Sequence, residues 1–105
     1  MADFTIKRND RLPPIESTLS PSAVDLTGAT VKFIMATYSG TVKVNSTAVV
    51  VQATAPPKVR YEWAAVDTDT VGDYRAEWEA TFADGKKETF PNGGYLIISV
   101  VADLA

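Results

Sequence analysis

Glu77 and Glu79, two positions apart in the run from Gly72 to Phe82, are the nearest this sequence comes to a catalytic pair. Strand spacing puts their carboxyl groups on one face about 7 Å apart, a separation at which an acid and a base can flank a glycosidic bond. A flat sheet face offers no cavity and little desolvation to raise a carboxyl pKa, and Arg75 alternates with the glutamates, so a solvated strand face is the expected reading. Asp67-Thr68-Asp69-Thr70-Val71-Gly72 begins like a calcium loop, with carboxylates at alternate positions, glycine sixth and Asp73 next. Val71 stands where a third oxygen ligand belongs and Trp78 where the bidentate glutamate should be, which favours Asp and Thr side chains bonding backbone N–H groups of a turn. Histidine and cysteine are both absent, so the Ser-His-Asp and Cys-His nucleophile arrangements, the usual zinc sites and disulfides cannot be built. The expectation is a protein that is not an enzyme and holds no cofactor and no metal.

Other patterns exclude further classes. Asn45-Ser46-Thr47 matches a glycosylation sequon but reads as a polar turn, and Gly93-Gly94 lacks the strand-to-helix setting of a phosphate loop. A net charge of −3 supplies no basic footprint for nucleic acid or for an anionic membrane, and most aromatics fall on faces expected to point inward. No stretch approaches the roughly eighteen apolar residues of a membrane span, and the N-terminal residues show no signal-peptide core, so synthesis in the cytoplasm is expected. A chain of 105 residues, 46% hydrophobic and 22% charged, is the size of one self-sufficient domain spanning residues 1–105.

The elements that must position these residues are strands. From Tyr74 to Phe82 the sequence alternates, with Tyr74, Ala76, Trp78, Ala80 and Phe82 on one face and Arg75, Glu77, Glu79 and Thr81 on the other, and Asp84-Gly85 then turns the chain back along Lys86 to Phe90. Phe4 and Ile6 mark a first strand, interrupted by Pro13-Pro14 before Ile15 to Leu19 resumes; proline confines this broken strand to a sheet edge, where its halves can pair with different sheets. Pro21-Ser22 is read as a turn. Val31, Phe33 and Met35 point to the core of the next strand, which leaves Ile34 as an apolar residue facing outward. Thr41 to Asn45 forms a further strand. Ala48 to Ala53 does not alternate, so Val49, Val50 and Val51 are buried on both sides or offer apolar surface to a neighbour. Lys58 to Trp63, with Val59, Tyr61 and Trp63 inward, and Tyr95 to Val101 complete the set. No window has helical periodicity. Seven to nine short strands joined by Gly, Pro, Asn, Asp and Ser turns define an all-β, antiparallel sandwich.

Asp69-Thr70-Val71-Gly72-Asp73-Tyr74-Arg75-Ala76 resembles the tyrosine corner of immunoglobulin-like domains, in which a Tyr near the start of a strand bonds back to the preceding connection. Ala76 takes the place of the second cysteine of antibody domains, so the resemblance is to immunoglobulin-like sandwiches broadly. The whole chain also resembles small immunoglobulin-like domains of tailed-bacteriophage virion proteins, similar to the N-terminal domain family of baseplate upper proteins. The stretches that carry it are Asp3 to Asp10, Val24 to Phe33, Val59 to Trp63 and Gly72 to Asn92.

That resemblance implies a structural, non-enzymatic virion protein, attached to tail or baseplate through other virion proteins and capable of self-association, without nucleic-acid or membrane partners. Capsid decoration is one alternative; a carbohydrate-binding module aiding host adhesion, with Tyr38 as its exposed aromatic, is another. The expected interface residues are Phe4, Ile6, Ile34, Val49, Val50 and Val51. Tyr74, Trp78, Phe82, Trp63 and Gly85 are expected to serve the fold.

Overall fold

Among the described residues nine strands account for the alternating stretches: β1 (Phe4–Lys7), β2 (Ile15–Thr18), β3 (Thr30–Thr37), β4 (Val42–Thr47), β5 (Val49–Gln52), β6 (Lys58–Tyr61), β7 (Gly72–Thr81), β8 (Lys87–Phe90) and β9 (Leu96–Val101). The computed structural model describes residues 2–19 and 24–104, so the turn expected at Pro21-Ser22 lies outside the described residues. No helix occurs among them. One sheet runs β1-β9-β7-β3-β4, with β8 also paired to β7; the other runs β2-β6-β5. All pairs are antiparallel except β1 with β9, which is parallel. The fold is an all-β sandwich of the immunoglobulin-like kind.

β7 is the hub. From Tyr74 to Thr81 it pairs with β3 on one side, while on the other its first half pairs with β9 and its last residues with β8. The Asp84-Gly85 turn joins β7 to β8: Gly85 has φ +90°, a conformation that other residues rarely adopt, and Asp84 Oδ1 accepts from the Lys86 N–H at 3.0 Å.

The broken N-terminal strand changes sheets. β1 pairs with β9 in the larger sheet and β2 with β6 in the smaller. Likewise β4 pairs with β3, and β5, after a bend at Ala48, pairs with β6. Such crossings close the sandwich at its sides.

Inward faces of both sheets meet in an aromatic centre. Phe33 stacks on Tyr61 with centroids 4.9 Å apart, meets Trp63 edge-on at 5.6 Å and lies 4.9 Å from Trp78, so rings from both sheets surround it. Val31, Met35, Val59, Tyr74, Ala76, Ala80, Phe90, Ile98 and Val100 are among the other buried residues. The indole N–H groups, which need partners once buried, donate to Pro13 O (Trp63, 3.1 Å) and Ser17 Oγ (Trp78, 3.0 Å). Phe82 ends its strand half-buried against this core, beside it rather than within it.

Candidate binding face on the larger sheet

The tyrosine corner forms as its sequence implies: Tyr74 is buried, and its hydroxyl donates to Thr70 O at 2.7 Å. The neighbouring acidic loop does not assemble a cation site. Asp67 is buried, with Oδ2 accepting from the Tyr61 hydroxyl at 2.5 Å and from the Ala64 N–H at 2.7 Å. Burial, and then that bond to Asp67, push the Tyr61 hydroxyl up to about 12. Asp69 turns elsewhere; its hydrogen bonds from Lys43 and from Thr70 hold its carboxyl below the usual carboxylate range. No group of three or more His, Cys, Asp or Glu converges among the described residues. Glu79 lies 3.8 Å from Lys87 and opposite Lys32 on the solvent side of β7, as a solvated strand face should.

Several expected interface residues are placed differently. Ile6 is in the core, and Phe4 packs against it with its ring 5.8 Å from Trp63, because the N-terminal strand turns both side chains inward as it joins the larger sheet. Val50 also packs inward, opposite Val59. The Val49–Val51 run is therefore alternating after all: Val49 faces out, and Val51 is the extra residue of a bulge between the Val50 and Gln52 pairings, which throws it outward, leaving them 45% and 46% exposed.

Ile34 does lie on an outward surface, and the residues around it define one. Across four strands, the ladder aligns Val42, Ala36, Arg75 and Ile97 in a row on the solvent side of the larger sheet. Asn45, Ile34 and Glu77 form the adjoining row. Val42 belongs to this face because the β3–β4 register shifts between Met35 and Ala36, making Lys43 the bulged residue and turning Val42 outward. At the ends of the rows, Tyr38 follows β3 and Tyr95 precedes β9; both are about half exposed, as is Val42.

Arg75 sits between the two tyrosines. Its guanidinium carbon is 5.2 Å from the Tyr38 ring centre and 4.8 Å from that of Tyr95, and Nη2 donates to Tyr38 O at 3.0 Å. Two stacked rings and a backbone bond fix a long side chain that would otherwise sample many rotamers. Beside it, Ile34, Ala36, Arg75, Ala76, Glu77 and Tyr95 line a hollow of about 190 Å³. A hollow walled by Ile34, Ala36 and Tyr95, with Glu77 also on its lining and an immobilised cation at its side, is what a partner's side chain and carboxylate can engage. Sequence reading singled out Ile34 and Tyr38 alone, because Tyr95 and Arg75 join them only through the β3–β7–β9 ladder.

Fold and face together define an immunoglobulin-like sandwich with an apolar, arginine-centred patch on one sheet. No protein-family model and no curated protein matches the sequence. Among solved structures the fold is similar to that of CopC from Methylosinus trichosporium OB3b, with a TM-score of 0.57 and 14% identity over 100% of this chain and 89% of that one. The sandwich expected from sequence is thus found in a known protein, but the phage resemblance does not hold: the structural likeness is to CopC rather than to a virion protein. With it fall the tail, baseplate and capsid-decoration roles, the carbohydrate-binding alternative and the virion location. The motifs that carried the resemblance are turn and core positions, which any sandwich of this kind reuses. Tyr38, offered as a sugar platform, has a ring face occupied by Arg75 instead.

Proposed function

We propose that this protein acts by binding another protein, without catalysis, through the outer face of the β1-β9-β7-β3-β4 sheet, with Arg75 as the central anchor. The observation that carries this reading is the Tyr38–Arg75–Tyr95 stack beside the Ile34 hollow. Tyr and Arg are the residue types that dominate interface energetics, and here they are preorganised, so little ordering entropy is lost when a partner docks. The remaining guanidinium donors suit a carboxylate, and the hollow has room for one apolar side chain, so the partner surface presents an acidic residue next to an apolar one.

The likeness to CopC lends the fold and not a bound group. Imidazole, thiolate and accessible thioether are the ligands that transition-metal sites favour; this chain has no histidine and no cysteine, and Met35, the one methionine among the described residues, is fully buried. Selection of a random-peptide library on the immobilised protein tests the reading. Ligands with an acidic residue adjoining an apolar one, losing at least tenfold in affinity on Arg75→Ala and little on Lys7→Ala, are expected. Ligands indifferent to Arg75 would refute it.

A further inference from the structure

The binding face ends at β4, and no strand among the described residues pairs with the outer edge of β4. Elsewhere the sheet edges carry devices that discourage pairing. β1 ends at Lys7 with Arg8 next, β2 follows Pro13-Pro14 and carries Glu16, and β8 carries Lys87 and Glu88 and is followed by Pro91. β5 is bulged at Val51, and the Leu26 N–H donates to Ala53 O at 2.8 Å just beyond its end. β4 has a single charged residue, Lys43, and its ammonium is already paired with Asp69. From Val44 to Pro57 no residue is charged, in a chain that is 22% charged.

The ladder fixes which backbone groups are free. The Ala48 N–H donates to Val31 O at 2.8 Å, so by antiparallel alternation Val44, Ser46 and Ala48 turn their backbone groups toward β3. Asn45 and Thr47 then turn theirs away, toward the edge. Outside the ladders, no backbone hydrogen bond engages either residue's N–H or C=O among the described residues.

We propose that β4 pairs antiparallel with β4 of a second copy of this chain, across a two-fold axis passing by Ser46. In that register Asn45 of each copy faces Thr47 of the other, and the free N–H and C=O groups of these residues close backbone hydrogen bonds across the junction. An isologous contact sets a strand against its own sequence, so like charges close to the two-fold axis would be brought near one another. The neutral stretch from Val44 onward avoids this, and Lys43 falls opposite Val49 of the other copy. Pairing joins the two larger sheets into one continuous sheet and sets their Arg75 faces on the same side of it. The edge and the Arg75 face are separate surfaces. Failure of self-pairing would leave the peptide-binding reading intact, and the converse also holds.

Because the chain has no cysteine, Ser46→Cys introduces its only thiol. Directly opposite residues of a non-hydrogen-bonded pair have Cα atoms about 4.5 Å apart, within disulfide range. Mild oxidation should convert Ser46→Cys to a disulfide dimer at least tenfold faster than Thr5→Cys, whose thiol would sit exposed on β1. The unmodified chain should sediment at twice its 11.3 kDa mass. Asn45→Lys/Thr47→Lys, which sets lysines opposite each other at exposed positions, should return it to 11.3 kDa with an unchanged circular dichroism spectrum. A chain that stays monomeric at millimolar concentration would overturn the proposal, as would equal cross-linking of the two cysteine variants or a lysine variant that still dimerises.

Discussion

Replacing Asp67 with alanine separates the two roles its sequence context suggests, a cation ligand and a structural clamp. Asp67 is 6% exposed, and one of its carboxylate oxygens receives both the Tyr61 hydroxyl and the Ala64 N–H. The substitution strands two donors where water has little access, at about 1–3 kcal/mol each. Their sum points to a loss of about 3 kcal/mol, a sizeable part of the ~5–15 kcal/mol that holds a domain folded. At about 4–8 °C per kcal/mol for a chain of this size, the melting temperature should fall by about 12–24 °C. Urea unfolding followed by the fluorescence of Trp63 and Trp78, together with calorimetry, measures both quantities. Asp67→Ala combined with Tyr61→Phe should cost less than the two changes summed, because the shared bond is lost only once. A loss below about 1 kcal/mol would refute the clamp. So would a fall in the wild-type melting temperature on adding a calcium chelator, which would return Asp67 to a cation site.

Tyr61 should also give the protein an alkaline signature. Its hydroxyl is pushed from 10.0 to about 12, so the folded state favours the protonated form; that contribution is complete below pH 10 and is lost as the pH rises toward 12. Thermal melts from pH 8 to 12 should show an extra alkaline loss that Tyr61→Phe abolishes, and parallel curves for the two proteins would contradict the assignment. Tyr74→Phe removes the bond to Thr70 O and should cost about 1 kcal/mol in urea unfolding while leaving the Arg75 face able to bind peptide. An unchanged midpoint would show that the corner does not contribute to stability.

How much of this was legible in the sequence depends on the range of the interaction. Strict alternation made β3 and β7 readable, since each has one dry face, and the Asp84-Gly85 turn and the Tyr74 corner are set by residues close in sequence. The N-terminal break was readable because proline is excluded from ladder interiors. Placement of side chains on the short strands was less so. Four residues alternate equally well in either direction, and only the parallel docking of β1 on β9 decides that Ile6 is buried. Bulges invert expectations in the same way. Val42 and Val44 look alike in sequence, yet the extra residue at Lys43 sends one outward and the other into the core. The binding face was the least legible feature, because Tyr38, Arg75 and Tyr95 belong to three different strands or their ends and meet only after the sheet has formed.

Titration of a library-selected peptide into the ¹⁵N-labelled protein tests the central claim most directly. Amide shifts should change along Ile34, Ala36, Tyr38, Arg75, Tyr95 and Ile97, and Arg75→Ala should abolish them. Changes confined to the β2-β6-β5 sheet, or a response that Arg75→Ala leaves intact, would contradict it.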